Sequence, residues 1–221
     1  MPNPESPPPS PTPPCTAPPA AVAEALRRAG SLGFRHSCEP PVGPLLAALA
    51  AAVPPHGRIL ELGTGAGVGS AWLMWGLGAR RDATLTTVEI DDTLAERTRA
   101  AGWPSWVTVV AADAEEVLPG LGRFDLVFAD APGGKWTGLD STISALNPGG
   151  VLVVDDMDPG RYEDAAHRAA VVRIHERLRE HPRLLTVRLD TGSGIVLATR
   201  RRDEPSDAEH LRAPAGAEEG R

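Results

Sequence analysis

The chain has 221 residues and a formal net charge of −7, and proline and glycine contribute 23 residues each. This length corresponds to one domain with additional segments, large enough to fold around a core without disulfide staples. The acidic balance argues against a dedicated binder of nucleic acid or anionic membranes. Two cysteines, Cys15 and Cys38, are too few for a disulfide framework or a structural zinc site. Because we find neither a membrane-spanning apolar run nor a secretory signal pattern, we expect a cytoplasmic protein.

Composition divides the chain into three zones. Residues 1–19 contain ten prolines and no valine, leucine or isoleucine, so this segment cannot bury enough apolar surface to offset its ordering entropy. We therefore predict a disordered proline-rich tail over 1–19. The polar residues at the other end predict a second disordered tail over 201–221. Residues 20–200 are the predicted folded domain.

The folded zone alternates between helix and strand patterns. Helices are predicted over 20–29, 42–53, 91–101 and 139–146, on the stripe of Val68, Trp72 and Trp75, and through Ala170, Ile174 and Leu178. Strands are predicted over 58–62, 84–88, 107–110, 124–129, 151–154, 184–189 and 195–199.

This alternation indicates an α/β fold. Strands separated by helices imply βαβ units in a parallel sheet, whereas the short glycine-bearing connection between the last two strands predicts an antiparallel hairpin. Ligands of such sheets bind outside the carboxyl ends of the strands. The residues that follow each strand are therefore the candidate site.

A glycine-rich loop follows the first predicted strand, in the sequence ELGTGAG over 61–67. Glycines allow a tight turn and close approach of a ligand, and the next helix offers free N–H groups, although the same pattern also suits an ordinary strand-to-helix turn.

Glu89, after the second strand, can accept hydrogen bonds from both hydroxyls of a ribose. Its alternative role is a helix cap, which Asp91 or Asp92 fits better. Loop and acid together indicate a cofactor that contains adenosine.

Further acids follow the remaining parallel strands. Asp113, beside Ala114, can bond an adenine amine or cap the next helix. Asp130 follows the fourth strand, and Asp155 and Asp156 follow the fifth. Converging carboxylates repel unless a proton or cation separates them, and a divalent ion such as Mg²⁺ is one solution. The alternatives are that Asp155 or Asp156 caps a turn and that Asp130 binds the amine of the cofactor.

Lys135 is the single lysine among 22 basic residues. An amine can lose its proton when its pKa is lowered, whereas a guanidinium cannot. The residue is therefore a candidate general base, and its alternative is an ordinary surface position.

Several sequence runs now stand in a recognisable order: ILELGTGAGVGSAWL, TVEID, AADAEEVLPGL, FDLVFADAPGGKW and LNPGGVLVVDDM. Over about residues 30–200 the chain resembles class I S-adenosylmethionine-dependent methyltransferases, in particular the group of catechol and caffeoyl-CoA O-methyltransferases. The resemblance implies a Rossmann-like, seven-stranded, mostly parallel sheet with helices on both faces and an antiparallel last strand. It also implies that residues 37–43 lie in a helix that closes over the cofactor.

The resemblance implies roles for individual residues by position. S-adenosylmethionine would contact, from its methionine end to its adenine, Asp130, Glu61, Gly63, Thr64, Gly65, Gly67, Glu89, Ile90, Asp113 and Ala114. Asp130, Asp155 and Asp156 would hold Mg²⁺, which would bind the hydroxyl of a small-molecule methyl acceptor. Lys135 would be the general base, next to Asp130 in the catalytic centre. Trp136 and residues 34–36 are candidates for the acceptor wall.

Two departures from the group stand out. The group has an Asp-Asn pair where this chain has Asp155 and Asp156, and its catalytic lysine stands three residues after the metal aspartate, whereas Lys135 stands five after Asp130.

Three other functions stay open at this point. A dinucleotide-dependent oxidoreductase, using NAD(P), would share the ribose acid, but Val68 stands where its fingerprint has glycine or alanine. An aminopropyltransferase would share the fold, and a cofactor-binding pseudoenzyme or scaffold would share the cofactor site. The resemblance is compatible with a homodimer, which the residues themselves do not indicate.

Overall fold

The structure, a computed structural model, describes residues 17–202. Most of the predicted tails, 1–19 and 201–221, lies outside the described residues, so both stay predictions. Within 17–202, no helix is long and apolar enough to cross a membrane.

The described residues form one sheet of seven strands in the order β3-β2-β1-β4-β5-β7-β6. Strands β1 to β5 run parallel to one another, and β7 is antiparallel to both β5 and β6. The predicted fold class is therefore confirmed. The strands are β1 (Arg58–Leu62), β2 (Thr84–Glu89), β3 (Val107–Ala111), β4 (Phe124–Ala129), β5 (Leu146–Val154), β6 (Leu184–Leu189) and β7 (Ile195–Arg200).

Helices cover both faces of the sheet. They are α1 (Ala20–Leu32), α2 (Val42–Ala52), α3 (Val68–Leu77), α4 (Asp92–Arg99), α5 (Ala114–Leu121), α6 (Leu139–Ser144) and α7 (Ala165–Glu180). Alternate strand residues face opposite sides. Ile59 thus packs in a core with α1, α2 and α3, while Leu60 packs in a second core with α5, α6 and α7.

Two glycines let α2 lie very close to α3. A Cβ atom added to Gly43 would lie 2.2 Å from the indole nitrogen of Trp72, and one added to Gly76 would lie 2.1 Å from the backbone oxygen of Ala47. Neither position has room for a side chain. This contact fixes α2, and with it the segment that leads from α1 to α2 over the carboxyl edge of the sheet.

Three local expectations differ from the structure. Helix α6 ends at Ser144, and Leu146 already begins β5, which carries an irregularity because Phe124 pairs with Leu146 whereas Leu126 pairs with Val151. Helix α5, for which the sequence predicts only the cap at Asp113 and no range, contains Pro119 in its interior. Trp75, which shares a predicted stripe of α3 with Val68, is 54% exposed, whereas Val68 is buried.

Substituting Gly76 tests the contact between α2 and α3. We expect Gly76→Ala to lower the free energy of unfolding by about 1–3 kcal/mol, because the new methyl group overlaps the backbone of α2. Urea unfolding measures this change. Gly30→Ala is the matched control, since a Cβ atom there meets nothing within 4 Å and alanine is the better helix former. Equal stability of Gly76→Ala and wild type would contradict the close packing.

Candidate active site

A cavity of about 260 Å³ opens at the carboxyl ends of β1, β2 and β4. Every residue predicted to contact the cofactor lines it, except Gly67. These lining residues are Glu61, Gly63, Thr64, Gly65, Glu89, Ile90, Asp113, Ala114 and Asp130. The carboxyl ends of neighbouring parallel strands meet at one edge, which is why side chains so far apart in sequence share one cavity.

The loop between β1 and α3 depends on its glycines. Gly63 has a φ angle of 98°, and a Cβ atom there would lie 2.5 Å from the backbone oxygen of Asp130. Gly65 has a φ angle of 52°, and its Cβ atom would lie 2.7 Å from the ring of Phe34. Gly67 instead begins α3 in the left-handed conformation. The first two glycines therefore shape the cavity, and the third shapes the turn.

Glu89 is held by backbone groups on both sides of its carboxylate. The N–H of Gly65 donates to Oε2 at 2.8 Å, and the N–H of Asp91 donates to Oε1 at 3.0 Å. Asp91, and not Glu89, caps α4 by accepting from the N–H of Leu94 at 2.9 Å. Each carboxylate oxygen of Glu89 keeps a further lone pair, so Glu89 can accept hydrogen bonds from a ligand without moving.

Glu61 is buried at the base of the same loop. Its Oε2 accepts from the hydroxyl of Ser70 and, at 2.6 Å, from the hydroxyl of Thr87. Burial raises the pKa of Glu61 to about 7, although the two hydroxyl hydrogen bonds act in the opposite direction. The free protein therefore carries a carboxyl at this position that changes charge near neutral pH.

Asp113 and Ile90 stand on the far side of the cavity. The Oδ1 atom of Asp113 accepts from the N–H of Glu115 at 2.8 Å, so Asp113 caps α5 and also lines the cavity. Both roles considered for this acid are thus compatible. Ile90 is 70% exposed at the rim, which leaves its side chain free to cover a flat ligand.

The segment between α1 and α2 supplies the remaining wall. Gly33 ends α1 in the left-handed conformation, and Phe34, His36, Ser37 and Cys38 then line the cavity. Helix α2 begins only at Val42, so the expected helix over 37–43 is wrong for its first five residues. The hydroxyl oxygen of Ser37 is one of the buried polar atoms without a hydrogen-bond partner within 17–202. Sequence patterns gave Ser37 no individual role, because serine in a loop carries no periodic signal.

Lys135 is buried next to the cavity at the ends of β4 and β5. The turn over residues 132–134 carries the chain back, with the N–H of Lys135 donating to the backbone oxygen of Pro132 at 3.3 Å. Its Nζ atom lies 2.7 Å from Oδ2 of Asp156, 3.3 Å from the backbone oxygen of Asp155 and 4.0 Å from Oδ1 of Asp130. The alternative of an ordinary surface lysine is therefore wrong, since Lys135 is 1% exposed.

The carboxylate of Asp155 has other hydrogen-bond partners than the carboxylate of Asp156. Its Oδ1 atom accepts from the hydroxyl of Ser193 and from the N–H of Asp156 at 2.7 Å. Burial raises the pKa of Asp155, and it raises the pKa of Asp130 well above its ordinary value. Ser193 lies in the connection between β6 and β7, where no sequence pattern indicates a site residue.

The predicted metal set does not fit Mg²⁺ in this arrangement. Among residues 17–202, no three side chains of His, Cys, Asp or Glu are grouped to hold a metal ion. An ammonium group contacts Asp156 and approaches Asp130, and the Oδ1 atom of Asp155 already accepts two hydrogen bonds. Asp130, Asp155 and Asp156, the residues of the expected Mg²⁺ site, instead form a cluster of carboxylates around a lysine.

An aromatic group adjoins this cluster. The Nζ atom of Lys135 lies 4.9 Å from the ring centre of Trp136, whose ring is 5.0 Å from that of His167. The ring of His167 is in turn 4.1 Å from that of Tyr162, and the hydroxyl of Tyr162 donates to the backbone oxygen of Asp156 at 3.3 Å. Trp136 thus lies beside the cluster, while Phe34 and His36, the other candidates for an acceptor wall, line the cavity.

Glu61 makes stability depend on pH. Its pKa of about 7 in the folded state exceeds its ordinary value of 4.5, so its contribution is fully present below about pH 4.5 and is lost as pH rises through 7. We compare the free energy of unfolding of Glu61→Gln with that of wild type at each pH. Between pH 4.5 and pH 8 we expect this difference to shift in favour of the variant by roughly 1–3 kcal/mol. Urea unfolding of both proteins at the two pH values measures this difference.

The control for the removed carboxylate is Glu24→Gln, at an exposed position on α1. A stability difference between Glu61→Gln and wild type that stays the same at both pH values would contradict the raised pKa of Glu61.

Comparison with known proteins identifies the family. Residues 60–157 match the family model described as a methyltransferase domain. A protein of Mycobacterium avium (strain 104), named "Putative O-methyltransferase", is 36% identical over 194 residues, which cover 82% of this chain and 86% of that protein. A second protein of that name, from Mycobacterium sp. (strain JLS), is 34% identical over the same shares of the two chains.

Solved structures agree with this family. The structure of cofactor-bound Rv0187 from MTB is 31% identical, with a TM-score of 0.73 over 83% of this chain and 90% of that one. The O-methyltransferase TomG from Streptomyces achromogenes, solved in complex with SAM, is 27% identical, with a TM-score of 0.69 over 84% and 91% of the two chains. The shared sequence, the sheet order and the cavity at its carboxyl edge together show that this chain belongs to the O-methyltransferase family.

Proposed function

We propose that the protein transfers a methyl group from S-adenosylmethionine to the hydroxyl of a small molecule. The observation that carries the proposal is the position of Glu61, Glu89 and Asp130 around one cavity, beside a loop whose Gly63 and Gly65 lie against Asp130 and Phe34 of the cavity wall. Family membership favours this activity over the dinucleotide-dependent and aminopropyl alternatives. A cytoplasmic location, the absence of a nucleic-acid partner and a homodimer stay predictions.

Different residues of the cavity would bind different parts of the cofactor. Glu89 would accept hydrogen bonds from the two ribose hydroxyls. It would use the carboxylate lone pairs that are not occupied by the N–H groups of Gly65 and Asp91. Ile90 and Ala114 would cover the adenine, and Asp113 would accept from its amine with the oxygen that does not cap α5. Gly63, Thr64 and Gly65 would lie along the ribose and methionine, with Glu61 beneath them and Asp130 at the methionine end.

The protein has two tasks once the cofactor supplies its sulfonium methyl group. It must align the acceptor oxygen with the methyl carbon and sulfur, and it must take the proton of the hydroxyl. Asp130 lies on the cavity wall and can accept that proton. The amine of Lys135 is already engaged as a donor, in an ion pair with Asp156 at 2.7 Å and in a hydrogen bond to the backbone oxygen of Asp155. We therefore assign the proton acceptor to Asp130 and not to Lys135.

Calorimetry with the full chain tests the cofactor. We expect wild type to bind S-adenosylmethionine and Glu89→Gln to bind it about 10–100-fold more weakly, because an NH2 group, which donates and cannot accept hydrogen bonds, replaces one carboxylate oxygen. Glu96→Gln, at an exposed position on the neighbouring α4, is the matched control and should bind like wild type.

Two results of the same experiment would separate the alternatives. Failure of wild type to bind S-adenosylmethionine, with binding of NADH in a nicotinamide fluorescence titration, would overturn the proposal in favour of the oxidoreductase. Tight cofactor binding without methyl transfer to any of a panel of catechols, phenols and alcohols would favour the pseudoenzyme.

A further inference from the structure

The cluster at the ends of β4 and β5 contains more acidic than basic side chains. Asp130, Asp155 and Asp156 surround a single ammonium, that of Lys135, whose side chain is 2% exposed. Buried carboxylates this close are costly unless a cation or a proton separates them. Here the cation is part of the chain itself.

The two departures from the family pattern explain each other in this cluster. Asp156, which stands where the related group has asparagine, makes the 2.7 Å ion pair with Lys135. An asparagine there would leave the buried ammonium without that opposite charge. Lys135 reaches Asp156 because the turn over residues 132–134 adds chain before it, and Gly134 occupies this turn with a φ angle of 85°. The additional spacing and the additional carboxylate are therefore one structural feature.

Lys135 has donor capacity left for a substrate. An ammonium has three N–H groups, and Nζ has two acceptors within 3.3 Å, namely Oδ2 of Asp156 and the backbone oxygen of Asp155. The remaining distance, 4.0 Å to Oδ1 of Asp130, is too long for a hydrogen bond. An oxygen atom that forms hydrogen bonds with both groups has to lie between them, next to the cavity that Asp130 lines.

We propose that the Lys135 ammonium takes the place of a divalent metal ion, so that methyl transfer by this protein requires no metal. The proposal rests on the function proposed above. The acceptor hydroxyl accepts a hydrogen bond from Lys135 and donates one to Asp130. As the oxygen–methyl bond forms with a lone pair of the oxygen, the methyl–sulfur bond breaks, its electron pair stays on sulfur, and the hydroxyl proton passes to Asp130.

In this arrangement Lys135 stabilises the negative charge that develops on the acceptor oxygen, and Asp156 is a positioning residue that holds the ammonium. An arginine would not serve equally, because its planar guanidinium is larger and directs its donors in a fixed fork. This gives a reason for a lysine at the one position where this chain has one.

Binding of Mn²⁺, followed by electron paramagnetic resonance, tests the proposal without an acceptor. We expect no stoichiometric Mn²⁺ binding by wild type, and Mn²⁺ binding by Lys135→Ala, in which the carboxylates are left without their cation. Arg173→Ala, which removes an exposed cation from α7, should behave like wild type. Equal Mn²⁺ binding by wild type and Lys135→Ala, whether present or absent in both, would overturn the proposal.

Activity of wild type gives a second measurement that needs no variant. With any acceptor from the panel, we expect turnover to be unchanged by EDTA and by added Mg²⁺, whereas loss with EDTA and recovery with Mg²⁺ would overturn the proposal.

In Lys135→Met we expect turnover to fall at least 100-fold while the Kd of S-adenosylmethionine changes less than about 3-fold. Circular dichroism checks that this variant folds. Absence of cofactor binding by wild type would instead contradict the proposed function, which keeps the two failures distinct.

Discussion

Repulsion among buried carboxylates is the constraint on which the carboxyl edge of this sheet depends. The parallel strands deliver Glu61, Glu89, Asp130, Asp155 and Asp156 to one region, and burial raises the pKa of Glu61, Asp130 and Asp155. The fold offsets this cost in different ways. Two hydroxyls donate to Glu61, two backbone N–H groups donate to Glu89, and the Lys135 ammonium contacts Asp156. A cofactor with a sulfonium would add a positive charge to the same edge.

These compensations divide the edge into two parts with different chemistry. Around Glu89 the partners are backbone groups with fixed positions, which suits a cavity that must hold one ligand in one orientation. Around Lys135 the partners are charged side chains, which suits a place where charge develops during a reaction. Asp130 belongs to both parts, since it lines the cavity and lies 4.0 Å from Lys135. It therefore marks the point where a methyl donor and a methyl acceptor would meet.

The sequence predicts the sheet and the placement of the cavity acids because both follow from local patterns. Alternating strands and helices determine the order of the elements, and an acid directly after a parallel strand must lie at the carboxyl edge. The start of β5 and the extent of α5 were not predictable in this way, because a proline inside a helix and an irregular strand pairing interrupt the local patterns. The partners of Lys135 and Asp155 were also hidden. They depend on the path of the turn over 132–134 and on Ser193, which is 38 residues away from Asp155.

A crystal structure of the wild-type protein grown with S-adenosylhomocysteine and Mn²⁺, with an anomalous map recorded at the manganese edge, tests the account most directly. We predict density for the nucleoside in the cavity with its ribose on Glu89, an ordered Lys135 against Asp156, and no anomalous peak among Asp130, Asp155 and Asp156. A nucleoside bound elsewhere would contradict the proposed cofactor site. A manganese peak between these aspartates would contradict the role given to the lysine.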